Sequence, residues 1–251
     1  MPHINNQGVD IHYKIVGEGA PLLMLHGGLC SSEDWSDFGY TEKLGGDRRL
    51  ILVDLRGHGE SGKPHDSRSY SIDLFVQDAI ALLDELRVGV CDVLGFSIGG
   101  WVVYRLWKMY PERVRSIILM DGVPGLDDSA LILDYVERLE QVASPIAHFP
   151  NAHKRFLAND KLAIQSLARG IVEDIPRLID DINALPENIN LPCLVLTSDI
   201  KGIEMDLMTR IKNAMVDGSL KTFLGFTHFD VLVRGDETIP HLRRFLDAQA
   251  G

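Results

Sequence analysis

The sequence predicts an α/β protein: a mostly parallel sheet with helices on both faces and a helical cap insertion. Three observations lead to this prediction. Short apolar runs bounded by turn residues recur along the chain, segments of helical periodicity lie between them, and one long stretch has the helical pattern alone. With 45% hydrophobic and 24% charged residues among 251, the chain has the composition of a protein that buries one large core.

The apolar runs are short enough to be buried strands, and they span residues 11–16, 22–25, 50–53, 90–94, 116–120, 191–196 and 221–224. Residues 4–16 contain the polar turn Asn5-Asn6-Gln7-Gly8, which predicts an antiparallel hairpin at the sheet edge. The other strands alternate with helices. This pattern requires parallel pairing, because each crossover returns the chain to the same end of the sheet.

Helical periodicity is clearest in residues 71–87, where apolar side chains repeat at intervals of three and four behind Ser71 as the N-cap. Further helices are predicted at 98–110, 205–215 and 239–246. From Gly122 to Asn190 the patterns at 129–140, 154–169 and 173–184 are all helical. We therefore predict an α/β core of residues 1–121 and 191–251, with residues 122–190 as a helical cap.

The net charge of the chain limits the classes of molecule that it can bind. With 36 acidic and 25 basic residues the formal net charge is -11, which repels nucleic acid and anionic membranes and favours a neutral or weakly polar small-molecule substrate. Three scattered cysteines and the absence of a signal peptide or membrane span favour a cytoplasmic location. No metal-ligand spacing or dinucleotide fingerprint occurs, so we expect no metal and no cofactor, while the oligomeric state stays open.

A candidate nucleophile lies in the motif Gly95-Phe96-Ser97-Ile98-Gly99, which follows the apolar run 90–94 and opens the helix 98–110. The bare motif is weak evidence, but a serine at a sharp strand-to-helix turn is held in a strained conformation that exposes its hydroxyl above the sheet. The flanking glycines leave room for that turn. The context therefore favours Ser97 as a nucleophile over an ordinary small residue in a loop.

A serine nucleophile needs a base, and His228 is the candidate among nine histidines. His228 follows the last predicted strand, so it should emerge at the carboxyl edge of the sheet, where Ser97 also lies. His26 is expected to anchor a loop by a hydrogen bond. The remaining histidines weighed for the role are predicted to lie on the surface: His3, His12, His65, His148, His153 and His241.

The acid that orients the base has two candidates at the same edge. Asp199 follows the strand 191–196 and lies between Ser97 and His228 in chain order, whereas Asp121 follows the strand 116–120 directly. Either carboxylate could reach an imidazole, and either could instead be a turn or cap residue.

An oxyanion hole is predicted from two backbone N–H groups. His26-Gly27-Gly28 follows the strand 22–25, and its glycines allow the backbone to direct an amide toward the site. The N-terminus of the helix that begins after Ser97 offers the second N–H group. Gly28 and Ile98 are therefore the candidate donors for the negative oxygen of a tetrahedral intermediate.

Several segments together resemble the α/β-hydrolase fold superfamily over nearly the whole chain. They are Leu25-His26-Gly27-Gly28, Asp54-Leu55-Arg56-Gly57-His58-Gly59-Glu60-Ser61, the Ser97 motif, Tyr110-Pro111-Glu112-Arg113-Val114 and Gly225-Phe226-Thr227-His228. The resemblance implies that the nucleophile is Ser97, the base is His228, residues 54–61 form a structural loop and residues 122–190 form the cap over the site. Family members usually have a longer turn around the acid than Asp199 has here, yet Asp199 is preferred and Asp121, a position some members use, is the alternative.

Within this family, a serine nucleophile argues against epoxide opening and dehalogenation, which use aspartate, and against dienelactone hydrolysis, which uses cysteine. The chain is similar to small capped esterases, enol-lactonases and carbon–carbon bond hydrolases. We expect a carboxylic ester or lactone hydrolase acting through an acyl-enzyme. Two alternatives stay open: a carbon–carbon bond hydrolase and a non-enzymatic small-molecule receptor. Carbon–carbon bond hydrolases of the family place extra polar residues near the cap to hold a second carboxylate, and Arg155 and Arg169 in the cap are equally explained as solvated helix charges.

Overall fold

The structure is a computed structural model that describes residues 2–122, 146–199 and 203–249. The predicted helix at 129–140 lies outside the described residues. Within these ranges, no helix combines the length and the apolar character that crossing a membrane requires.

Eight strands form one sheet in the order β1-β2-β4-β3-β5-β6-β7-β8. β1 and β2 form the predicted hairpin, β2 also pairs antiparallel with β4, and every other pairing is parallel. The predicted α/β class is therefore confirmed. The strands are β1 (His3–Asn6), β2 (Val9–Val16), β3 (Ala20–Leu25), β4 (Arg48–Val53), β5 (Cys91–Phe96), β6 (Val114–Met120), β7 (Cys193–Thr197) and β8 (Gly218–Thr222).

Helices connect the strands. They are α1 (Asp34–Asp37), α2 (Tyr40–Leu44), α3 (Ile72–Glu85), α4 (Ile98–Met109), α5 (Pro150–Leu157), α6 (Lys161–Val172), α7 (Ile175–Asn183), α8 (Ile203–Ala214), α9 (Asp230–Val233) and α10 (Gly235–Ala248). Ser71 is the N-cap of α3, where its hydroxyl accepts a hydrogen bond from the N–H of Leu74 at 3.2 Å. This is the cap that the sequence predicts.

Two predicted elements differ from the structure. The single helix expected at 154–169 is two helices, α5 and α6, because Asp160 caps a new helix by accepting from the N–H of Ala163 at 3.0 Å. The strand expected at 221–224 is β8, which begins earlier, at Gly218, where it pairs with Cys193. Alternating exposure along this edge strand leaves too weak an apolar signal to locate it.

The core lies in two apolar layers, one against each face of the sheet. The register of the strand pairs shows which residues lie at the carboxyl edge of the sheet. Phe96 at the end of β5 pairs with Met120 at the end of β6, and Met120 pairs with Leu196 in β7. The residues that follow these ends therefore emerge side by side at the carboxyl edge of the sheet, where open α/β sheets bind ligands.

Candidate active site

Ser97 lies at the turn between β5 and α4 with φ 53° and ψ −124°, a conformation that a non-glycine residue rarely adopts. The turn is tight enough to exclude side chains on both sides. A Cβ on Gly95 would lie 2.2 Å from the carbonyl oxygen of Gly99, and a Cβ on Gly99 would lie 2.2 Å from that of Leu25. Because its neighbours are buried while Ser97 is partly exposed, the strain presents the hydroxyl to the site.

The loop after β3 lies directly beside this turn. A Cβ on Gly27 would lie 2.7 Å from the Phe96 ring and 3.1 Å from Cβ of Ser97. The next residue, Gly28, has open space where its Cβ would be. Ile98 begins α4, and N–H groups in the first turn of a helix have no acceptor within that helix. Both predicted oxyanion donors thus belong to segments that flank Ser97.

His228 lies over the same turn. Its ring stacks on Phe96, the residue before Ser97, with the ring centroids 4.8 Å apart and the planes at 28°. Phe229 packs edge-on against His228. The structure shows no hydrogen bond between Ser97 and His228, both of which it describes. Catalytic hydrogen bonds are often long before substrate is bound and shorten in the complex.

The structure brings Asp121, rather than Asp199, to the imidazole. Oδ2 of Asp121 lies 3.5 Å from Nδ1 of His228, and the carboxylate side chain is 1% exposed. Its other oxygen, Oδ1, accepts a hydrogen bond from the N–H of Ser198 at 2.9 Å. Oδ2 is buried and makes no hydrogen bond among the described residues. The carboxylate is thus fixed at one oxygen and directed at His228 with the other.

Asp199, the acid preferred from the sequence, lies in the loop after β7 and is exposed. Its Oδ2 accepts a long hydrogen bond, 3.4 Å, from the N–H of Gly225, three residues before His228. The sheet order explains the difference. β6 is the immediate neighbour of β5, so Asp121 is one strand from Ser97, whereas Asp199 follows a strand two positions away.

Two buried histidines brace the loop after β3. Nδ1 of His26 donates to the carbonyl of Gly27 at 2.7 Å and its Nε2 accepts from the N–H of Leu55 at 3.0 Å, the anchoring role expected for His26. Nε2 of His58 accepts from the N–H of Leu29 at 3.1 Å. Burial lowers the pKa of both rings, that of His58 to about 3, so both are neutral and can accept.

The sequence does not predict the hydrogen bond between His58 and Leu29, although His58 lies in the motif 54–61. His12 was predicted to lie on the surface, but it is 1% exposed and its Nδ1 lies 2.8 Å from Oδ2 of Asp54. Asp54 also accepts from the N–H of Ser32 at 2.6 Å. His12 follows the buried Ile11 in β2 and contacts the loop 54–61, a contact between distant segments that local polarity does not reveal.

Arg155 in α5 is bound to the core. Its guanidinium pairs with Asp34 and, at 2.7 Å, with Asp37, and Nε donates to the hydroxyl of Ser31 at 3.1 Å. Arg169, the other cap arginine weighed from the sequence, is exposed on α6. Within 2–122, 146–199 and 203–249, no three His, Cys, Asp or Glu side chains are grouped to hold a metal ion.

Comparison with known proteins agrees with this geometry. The model of the alpha/beta hydrolase fold family matches residues 20–177. The 2-hydroxymuconate semialdehyde hydrolase of Pseudomonas sp. (strain CF600) is 36% identical over 161 residues, 62% of this chain and 56% of that protein. The alignment thus spans little more than half of that relative.

Among solved structures, a thermophilic esterase from Thermogutta terrifontis superposes over 100% of both chains with a TM-score of 0.78 at 19% identity. The enol-lactonase from Burkholderia xenovorans LB400 covers 98% of this chain and 100% of its own with a TM-score of 0.78 at 17% identity. The chain therefore belongs to the alpha/beta hydrolase fold family.

Proposed function

We propose that this protein hydrolyses a carboxylic ester or lactone of a small molecule through a covalent acyl-enzyme, with Ser97 as nucleophile, His228 as base and Asp121 as the acid that orients it. One observation supports this most strongly. A buried carboxylate oxygen with no hydrogen bond among the described residues faces the imidazole that stacks over the strained serine turn. Burying a carboxylate oxygen without a partner costs free energy. The imidazole of His228 beside Asp121 supplies that partner.

The proposed chemistry follows from these positions. His228 removes the proton of the Ser97 hydroxyl as the oxygen attacks the substrate carbonyl carbon, and the carbonyl oxygen becomes negative. The N–H groups of Gly28 and Ile98 bind that oxygen. The alcohol leaves with the proton from His228, and a water molecule, deprotonated by His228, then hydrolyses the acyl ester to a carboxylate and free Ser97. Asp121 stabilises the imidazolium in both halves of the cycle.

The described helices between β6 and β7, α5 to α7, are proposed to form the cap that covers this site. α5 is bound to the loop after β3 through Arg155, and α6 donates from the Ser166 hydroxyl to the carbonyl of His65 at 2.8 Å. These contacts support a cap seated on the catalytic edge. We propose a neutral or weakly polar small substrate, since the chain carries a net charge of -11.

A carbon–carbon bond hydrolase is the second candidate, and the relative from Pseudomonas sp. (strain CF600) is named a 2-hydroxymuconate semialdehyde hydrolase. That candidate needs a cation free to bind a second carboxylate. Arg155 is engaged by Asp34 and Asp37, which argues against it in this role. Arg169, the other cap arginine, is exposed on α6, and the preference for an ester or lactone rests on the engagement of Arg155.

Turnover of p-nitrophenyl esters of increasing acyl length, beside a lactone and a vinylogous diketone, tests the proposal. We expect ester or lactone turnover by the wild type, loss of at least about 10³-fold in Ser97→Ala, and wild-type rates in the control Ser219→Ala, on the exposed strand β8. Turnover of the diketone alone would favour the second candidate. No turnover of any compound, with tight binding of a ligand, would favour a receptor and contradict the proposal.

A further inference from the structure

The backbone of Leu29 is the strained point of the loop that carries Gly28. Leu29 has φ 64°, in the left-handed region that glycine adopts readily and leucine avoids. A residue stays in such a conformation only when its surroundings fix it. The contacts that fix Leu29 therefore also fix the peptide bond that joins it to Gly28.

Leu29 is held from two directions. From the core, Nε2 of His58 accepts its N–H at 3.1 Å. From the cap, Nδ2 of Asn159 donates to its carbonyl oxygen at 2.9 Å. Asn159 lies in the turn between α5 and α6, so one hydrogen bond joins the cap directly to the residue after the proposed oxyanion donor.

Neighbouring contacts stiffen the same connection. Arg155, one turn before Asn159, binds Ser31 and Asp34 in the segment that follows Leu29. The N–H of Ser31 in turn donates to Oδ2 of Asp34 at 2.8 Å. Arg155 at the end of α5 and Asn159 in the turn after it thus bind the loop after β3 at two points. The contact of Asn159 with Leu29 is the one nearer to Gly28.

We propose that Asn159 is a positioning residue that couples the seating of the cap to the geometry of the oxyanion hole. With the cap in place, the Leu29 peptide is held between Asn159 and His58, and the Gly28 N–H faces the site. Without this hydrogen bond the loop can relax out of the strained conformation and turn the amide away. The inference rests on the proposed function, because it assigns Asn159 a part in stabilising the oxyanion.

Asn159 also has a local structural role, since its Nδ2 reaches the carbonyls of Phe156 at 3.0 Å and Arg155 at 3.3 Å at the end of α5. Two variants separate the roles. Asn159→Ala removes every contact of the amide. Asn159→Ser keeps a hydroxyl that can donate to a carbonyl three or four residues earlier in α5 but is too short to reach Leu29. Asn151→Ala, exposed on α5, is the matched control.

The test measures kcat and KM for the best p-nitrophenyl ester, together with inhibition by an alkylboronic acid of the same chain length. The Ser97 oxygen adds to boron to give a tetrahedral anion whose oxygen occupies the oxyanion hole, so its affinity reports that hole. We expect both Asn159 variants to lose about tenfold in kcat and about tenfold in boronate affinity, with KM within twofold of wild type. The control should match wild type in all three.

The outcomes are separable. A folded Asn159→Ser protein, checked by thermal unfolding, with wild-type kcat and boronate affinity would overturn the inference, as would a change confined to KM. Both results leave the proposed function intact if the wild type turns over ester and Ser97→Ala does not. A wild type that hydrolyses no ester would instead contradict the proposed function and this inference with it.

Discussion

The two oxygens of the Asp121 carboxylate have different tasks, and this division distinguishes Asp121 from Asp199. Oδ1 is fixed by the backbone of Ser198, while Oδ2 faces His228 at 3.5 Å. The sequence placed both aspartates at the carboxyl edge of the sheet and led to a preference for Asp199, because chain order does not reveal which strand neighbours β5. The distance to the imidazole depends on the strand order, which is a property of the whole sheet.

Replacing each acid by its amide tests the assignment at this scale. Asp121→Asn keeps the shape but removes the charge that stabilises the imidazolium, so we expect kcat to fall by about 10³-fold to 10⁴-fold. Asp199→Asn retains an oxygen that can accept from Gly225, and we expect a change of about threefold or less. Steady-state kinetics of both proteins on one ester measure this, and the reverse order would restore Asp199 as the acid.

At the scale of elements, the loop 54–61 contacts the loop after β3 through the neutral side chain of His58. Its His58 accepts from Leu29, and the pKa of His58 is lowered to about 3 by burial and by the neighbouring His26. The sequence motif marked this loop as structural. Its particular contact with the loop after β3 could not be predicted, because the two segments are joined by folding and not by local pattern.

This lowered pKa predicts a stability that falls with acid. Below pH 6.5 the unfolded chain binds a proton at His58 that the folded protein does not bind until about pH 3. The free energy of unfolding should therefore fall by about 1 kcal/mol per pH unit from this group alone as the pH drops through that window. The stabilisation is complete above pH 6.5.

Urea unfolding at pH 7.5, 6.5, 5.5 and 4.5 measures the effect. His58→Gln keeps a carbonyl that can accept from Leu29 but cannot titrate, so its loss of stability with falling pH should be shallower than that of wild type by about 1 kcal/mol per unit. His148→Gln, exposed in the turn before α5, should follow the wild type. Parallel curves for wild type and His58→Gln would show that His58 does not account for the acid sensitivity.

At the scale of the whole molecule, the alternation of strands and helices predicted the sheet, and the Ser97 motif predicted the turn between β5 and α4. The division into core and cap stays a prediction, of which the structure describes residues 146–190, with helices at Pro150–Leu157, Lys161–Val172 and Ile175–Asn183. The contacts of Arg155 and Asn159 with the core could not be read from the sequence. Both depend on how α5 lies against the loop after β3, which no periodicity encodes.

The central proposal is that Ser97 is the nucleophile of a hydrolytic reaction. Intact-mass and peptide-mapping mass spectrometry after treatment with an alkyl fluorophosphonate tests it most directly, because the reagent transfers one phosphonyl group to an activated serine oxygen with loss of fluoride. We predict one adduct per chain, on the peptide that contains Ser97, and none in Ser97→Ala. A folded wild-type protein that remains unmodified, or that is modified at another serine, would contradict the account.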